Sequence, residues 1–161
     1  MVKSQENKKI KNAQETIYDG ITFKSKLEVM CYKALKEANL PVQYESKKFI
    51  LWEGFKPTVP FYDKDKKTKL LKLQTKKLLN TTYSPDFYFE YGGHNIIIES
   101  KGFENEAFHL KKKLFRAWLE ANQPNSIYFE IYTKKQLMQA IDIIKQLKSE
   151  ENGKSFQQVQ E

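Results

Sequence analysis

An α/β or α+β sandwich around a mixed sheet is the fold class this sequence predicts, and three observations carry it. Runs rich in β-branched and aromatic residues, "DFYFEY", "NIIIES" and "SIYFEIY", read as strands. Three other segments return their apolar residues at helical spacing. The two kinds follow one another in the order α-β-β-β-α-β-α, which suits helices packed on the faces of one sheet.

Taken in order, residues 1–15 are polar, Lys-rich and without period, which predicts a flexible basic arm. From Ser25 to Asn39, Leu27, Met30, Cys31, Ala34, Leu35 and Ala38 make one apolar stripe, with Ser25 as N-cap and "NLP" as stop. "VQYESKKFILW" predicts a strand. Residues 56–80 carry two prolines and many lysines, which argues for a surface insertion rather than a central strand. "DFYFEY" and "NIIIES" flank Gly92-Gly93 as a hairpin, and three consecutive isoleucines predict a strand covered on both faces. Glu104 to Asn122 predicts the second helix. "SIYFEIY" gives the last strand, and Leu137, Ala140, Ile141, Ile144 and Leu147 the third helix. Residues 149–161 have too little apolar content to pack and are expected to be disordered. One domain therefore spans 16–148.

The 28 Lys and Arg residues outnumber 20 Asp and Glu, a formal charge of +8, so an acidic partner is the first expectation. No apolar run is long enough for a membrane span, and the N-terminus lacks a signal-peptide core. The expectation is a soluble cytoplasmic protein. A single cysteine excludes a disulfide framework, and its apolar helix position makes Cys31 a buried structural thiol. There is no glycine-rich phosphate loop.

The chemistry concentrates in the hairpin, "YSPDFYFEYGGHNIIIESKG". Side chains two apart on a strand share a face, so Glu99 and Lys101 point together. Asp86 and Glu99 stand six residues before Gly92 and six after Gly93, which makes them near-opposite across the ladder. Like charges so placed repel unless a cation lies between them. Mg²⁺ would fit, since it takes carboxylate oxygens, keeps waters and leaves room for a phosphate. Lys101 would then orient a water beside the metal and offset charge developing on phosphorus. The bland alternative is a solvated Glu99–Lys101 pair on an edge strand, with Asp86 a turn residue after Pro85.

Glu28 falls at the border of the first helix's stripe, where it could reach the hairpin carboxylates or be an ordinary boundary glutamate. In the second helix, Ala107, Phe108, Leu114, Phe115 and Trp118 centre the apolar face on Lys111. A lysine there must either snorkel outward or point into a pocket that holds an anion, and the second is expected. Its neighbours Lys112 and Lys113 are expected to face solvent or a DNA backbone. His94 and His109 are expected bystanders.

Pro85-Asp86 followed by Glu99-Ser100-Lys101 resembles the PD-(D/E)XK nuclease superfamily. More closely, "YDGITFKSKLEVMCYKAL", "YSPDF", "IIIESKG" and "FHLKKKLF", in that order from Tyr18 to Phe115, resemble small phage proteins related to the endonuclease I type of Holliday junction resolvase. The resemblance implies a restriction-endonuclease-like core and Mg²⁺-dependent hydrolysis of DNA phosphodiesters, with Mn²⁺ able to substitute and branched DNA as substrate. It implies Asp86, Glu99, Glu28 and the Ser100 carbonyl as metal ligands, and Lys101 as the catalytic lysine, with Lys111 added from the helix argument. Candidate DNA contacts are Lys24, Lys26, Lys72, Lys76, Lys112 and Lys113. A roughly two-fold junction implies a homodimer with two sites. The insertion at about 56–80 departs from the family pattern and could be the dimer element. A restriction- or repair-type nuclease and a non-catalytic basic nucleic-acid-binding phage protein are the alternatives. A phage- or prophage-encoded protein would act in the cytoplasm of its bacterial host.

Overall fold

The computed structural model describes residues 15–102 and 106–157, with side chains described as far as residue 147. The expected arm at 1–14 lies outside the described residues. Within them the chain is a mixed α+β fold with three helices and several small sheets. Among the described residues no helix is long and apolar enough to cross a membrane.

The first described element is a hairpin, β1 (Thr16–Tyr18) and β2 (Ile21–Phe23), closed by Asp19 and Gly20, both with positive φ. Such a two-residue turn matches the right-handed strand twist, and Asp-Gly is a favoured sequence for it. It leads into α1 (Lys26–Glu37), whose N-cap is Ser25 as expected. The helix ends in a Schellman motif, with Leu40 N–H donating to Leu35 O, Asn39 N–H to Lys36 O, and Asn39 at φ 58°.

The single strand expected over "VQYESKKFILW" is two, β3 (Gln43–Tyr44) and β4 (Phe49–Trp52), in different sheets. Glu45 between them has φ 45°, which turns the chain out of one ladder before it enters the next. The insertion lies at the surface, and it has strands of its own. Its β5 (Tyr62–Lys64) and β6 (Leu71–Leu73) pair as an antiparallel ribbon, and its base closes where β4 pairs with β7 (Thr81–Tyr83). Gly54 marks the neck: a Cβ there would sit 2.1 Å from Leu78 O, and its N–H donates to Asn80 Oδ1. Only glycine lets the two backbones pass so closely.

The central sheet follows, with β8 (Phe87–Tyr91), β9 (His94–Ser100), α2 (Glu106–Asn122), β10 (Ser126–Ile131) and α3 (Lys134–Gln157). Its strand order is β10-β9-β8-β3, with β9 and β10 parallel and the other neighbours antiparallel. The three isoleucines of β9 are fully buried, as expected for a strand covered on both sides. Ile96 and Ile98 join α1 and α3 in one core, whereas Ile97 joins Phe49, Tyr83, Phe108, Phe115 and Leu119 against α2 in another. Cys31 is buried in the first core. At the C-terminus α3 runs to Gln157, past the expected end at 148. Glu, Lys and Gln, which recur after residue 148, are good helix formers.

Candidate functional site

The register of β8 on β9 pairs Phe87 with Ile98, and one step further sets Asp86 opposite Glu99. The hairpin thus brings the two carboxylates together as the sequence implied. Glu99 is buried and accepts from the Tyr83 hydroxyl at 2.9 Å and from the Lys101 ammonium at 2.6 Å. Lys101 Nζ also lies 4.5 Å above the Phe108 ring, which holds the cation between a carboxylate and an aromatic face.

Asp86 is turned toward the neighbouring position. Its Oδ2 accepts from the Ser100 N–H at 2.7 Å and the Ser100 hydroxyl at 2.6 Å, while Oδ1 accepts no hydrogen bond among the described residues. Burial first, then the Glu99 charge, push the Asp86 carboxyl up to about 7. The Ser100 bonds pull the other way, and the Glu28 charge adds a smaller upward push. Ser100, implied to offer its carbonyl, therefore meets Asp86 through its N–H and hydroxyl.

Glu28 arrives from α1, buried and fully engaged. Its Oε1 accepts from the Ser25 hydroxyl at 2.9 Å, and its Oε2 from the Lys24 N–H at 2.9 Å and the Tyr44 hydroxyl at 2.6 Å. Ser25 in turn accepts from the Glu28 N–H as N-cap, while the Glu28 side chain reaches back one residue further, to the Lys24 N–H. Glu28 thus stands near the hairpin carboxylates while serving α1. Burial, then the Asp86 and Glu28 charges, raise the Cys31 thiol to about 12, which leaves it protonated and unreactive.

The expected position of Lys111 is overturned. Lys111 is exposed, and the partly buried lysine of α2 is Lys112, whose ammonium meets Glu130 of β10 at 2.6 Å. The buried stripe runs through Phe108, Phe115 and Leu119, which places Lys112 rather than Lys111 within it. The expected face counted Leu114, which is exposed, and so was rotated. Lys112 is accordingly not a solvent-facing lysine. Lys113 is exposed, as are Lys26, Lys72 and Lys76. Lys72 pairs weakly with Asp65 at 3.7 Å, and Lys24 pairs with Glu45.

Three contributors were missed. Tyr83 donates to Glu99 and lies 3.1 Å from the Tyr128 hydroxyl, Tyr44 donates to Glu28, and Glu130 stands beside Glu99 in the parallel register of β9 and β10. Burial and the Glu99 charge raise the Tyr83 phenol well above its ordinary value, so it remains a donor. The sequence signal for Glu130 was present: in "SIYFEI" it is the one charge in an otherwise apolar strand, the same oddity that singled out Glu99.

Among the described residues no three carboxylate, imidazole or thiol groups stand together at metal-coordinating spacing. The implied triple ligation by Glu28, Asp86 and Glu99 is therefore not assembled in this geometry. A Mg²⁺ ion asks for less, because it keeps several waters and needs only one or two carboxylates. The facing Asp86 and Glu99, mutually repelling and with Asp86 Oδ1 open, fit that smaller requirement.

Fold and site together define an α+β protein with opposed, largely buried carboxylates and an adjacent lysine at one end of its central sheet. Residues 8–132 match the family described as "Protein of unknown function (DUF1064)", and the chain belongs to it. The matched span holds Glu28, Asp86, Glu99, Lys101, Lys112 and Glu130, and stops before α3. No curated protein and no solved structure matches the chain.

Proposed function

We propose that this protein is a Mg²⁺-dependent DNA endonuclease with a restriction-endonuclease-like core, selective for branched DNA. The observation that carries the reading is the placement of Asp86 opposite Glu99, with Lys101 on Glu99. Two buried carboxylates held face to face destabilise a fold unless their charge is used, and Asp86 is pushed up to about 7 by that burial and proximity. The resemblance of the "PD" and "ESK" elements to PD-(D/E)XK nucleases supplies the reaction class.

Asp86 and Glu99 are the proposed metal ligands, and the metal would polarise the scissile phosphate and lower the pKa of a bound water. Glu28 adds negative potential from α1 while its oxygens cap the helix. Lys101 places positive charge where the pentavalent transition state gathers negative charge. Hydrolysis joins the water oxygen to phosphorus as the bond to the leaving sugar oxygen breaks. The proton lost by water is balanced by the one the leaving oxygen takes up.

A homodimer belongs to the same reading. The β5–β6 ribbon exposes Leu70, Leu71 and Tyr62, with Leu79 nearby, and a lone two-stranded ribbon is marginal in water. A second copy of the β5–β6 ribbon, which is the insertion's own, would cover these side chains. Light scattering after size exclusion should report a dimer that Leu71→Glu with Leu79→Glu converts to monomer; an unchanged mass would remove this ribbon from the interface.

The deciding experiment is a Mg²⁺-dependent cleavage panel of four-way junction, flap, linear duplex and single strand. Junction cleavage by the wild type, reduced to background in Glu99→Gln with binding kept in Ca²⁺, is the expected result. Site-specific cutting of linear duplex would indicate the restriction or repair type. Binding without cleavage would leave a non-catalytic basic nucleic-acid-binding protein of a phage or prophage, acting in the host cytoplasm.

A further inference from the structure

A second feature of the α2 face lies outside the carboxylate cluster. Between α2 and β10 an open cleft of about 880 Å³ is lined by Lys112, Lys113, Arg116, Ser126, Tyr128 and Glu130, with Glu120 at its side. Lys112 is committed to Glu130 at 2.6 Å. Arg116 and Lys113, three apart on one helix and so on neighbouring positions of its surface, make no ion pair among the described residues. The Ser126 hydroxyl is buried and has no hydrogen-bond partner among them. A buried hydroxyl without a partner is uncommon in a folded protein, and one in the wall of a basic cleft can offer a hydrogen bond to an anion's oxygen.

The cleft adjoins the carboxylate site. Glu130 stands in register with Glu99 on the neighbouring strand, about 4.8 Å away across the sheet. The hydroxyls of Tyr128, which lines the cleft, and Tyr83, which donates to Glu99, lie 3.1 Å apart. An extended polyanion with one phosphate at Asp86 and Glu99 therefore has this cleft along its path, whereas a free phosphate would have no reason to span both.

We infer that the α2–β10 cleft is a phosphate subsite for the DNA backbone beyond the scissile position, with Arg116 and Lys113 as the phosphate-binding cations and the Ser126 hydroxyl as an added donor. The naming of the polyanion as DNA rests on the nuclease reading; the cleft's basic chemistry does not. Arg116 carries the geometric part, since a guanidinium presents a fork of donors matched to phosphate oxygens. Lys113 acts as a point charge. Neither is asked to take part in bond breaking, so the change to be read is in binding.

The test is fluorescence anisotropy of a fluorescein-labelled synthetic four-way junction, titrated with full-length protein in Ca²⁺ over a salt series. Losing two phosphate contacts should reduce the slope of log K against log salt by about 1.8, at about 0.9 per contact. Arg116→Ala with Lys113→Ala should weaken binding roughly tenfold near 0.15 M salt. Glu120→Lys should act oppositely, tightening binding and steepening the slope by up to about 0.9. Both changes are at exposed positions, so folding is not at issue. An affinity and slope equal to wild type in both variants would overturn the subsite, as would a wild type that does not bind the junction at all. Competition by inorganic phosphate alone that matched competition by unlabelled junction at equal phosphate would overturn the backbone assignment. Because the readout is binding, the subsite can stand where cleavage is absent, and cleavage can stand where the subsite fails.

Discussion

Replacing Asp86 by Asn should stabilise the protein in metal-free buffer at the same time as it removes activity. The ordinary carboxyl value of 3.8 is raised to about 7 in the folded chain, first by burial and then by the facing Glu99. Between those values the unfolded chain has released the proton and the folded chain still holds it. Folded-state stability therefore falls as pH rises through that window and levels off above it. At about 1.4 kcal/mol per pKa unit, this one group should remove roughly 2 to 3 kcal/mol between about pH 5 and about pH 8. The amide keeps the shape and still accepts from the Ser100 N–H, but it carries no charge to repel Glu99.

The assay is urea unfolding followed by circular dichroism, in EDTA, at about pH 5 and about pH 8, for wild type and Asp86→Asn. Both proteins share every other titrating group, so the difference between their pH dependences isolates residue 86. Expected is a mutant more stable than wild type by roughly 1 to 3 kcal/mol at about pH 8, with the gap shrinking toward about pH 5. A constant gap across the range, or a mutant less stable at about pH 8, would refute the argument that burial and Glu99 oppose ionisation of Asp86.

Two further substitutions separate the side chains on α2. Lys111→Met should leave stability within about 0.5 kcal/mol and leave cleavage intact, because Lys111 is exposed. Lys112→Met should cost roughly 1 to 3 kcal/mol in a urea melt, because it removes the cation from the partly buried Glu130, which keeps the Tyr132 hydroxyl. Tyr83→Phe removes the hydroxyl that donates to Glu99 and lies against Tyr128. The expected loss is roughly 1 to 2 kcal/mol of stability, with weaker cleavage of a junction that is still bound normally.

Much of this site was legible because a strand hairpin converts sequence distance directly into register. Counting outward from Gly92-Gly93 puts Asp86 opposite Glu99 with no knowledge of the rest of the chain, and the ladder follows that count. Local signals were weaker where a residue does something its type rarely does. Glu45 adopts φ 45° and splits one apparent strand into β3 and β4. Positive φ is concentrated in Asn, Asp, His and Gly, so a glutamate announces no such turn. The Asp19-Gly20 hairpin, by contrast, carried a readable marker that the helical pattern after it overshadowed. Lys111 was misplaced because a helical wheel weighs every apolar residue alike. Leu114 is exposed, and once it is discounted the buried stripe shifts to include Lys112.

The residues that sequence could not supply are those joined only through the fold. Tyr83 comes from a two-stranded sheet and Tyr44 from the edge of the central sheet, and each meets a carboxylate that lies elsewhere in sequence. Their arrangement explains how a like-charged cluster survives at the sheet end. Glu28 is satisfied by three donors, Glu99 by a hydroxyl and an ammonium, and Asp86 by two bonds from Ser100. Hydrogen bonds to a charged group are individually worth roughly 1.5 to 3 kcal/mol, enough to hold each carboxylate in place against its neighbours. They cannot undo the burial of Asp86 or the charge of Glu99 facing it, which drive its carboxyl up to about 7. The apolar β9 between two cores makes that cost bearable. Ile96, Ile97 and Ile98 anchor the strand on both faces just before Glu99, so the charges at its end strain a ladder that is already fixed.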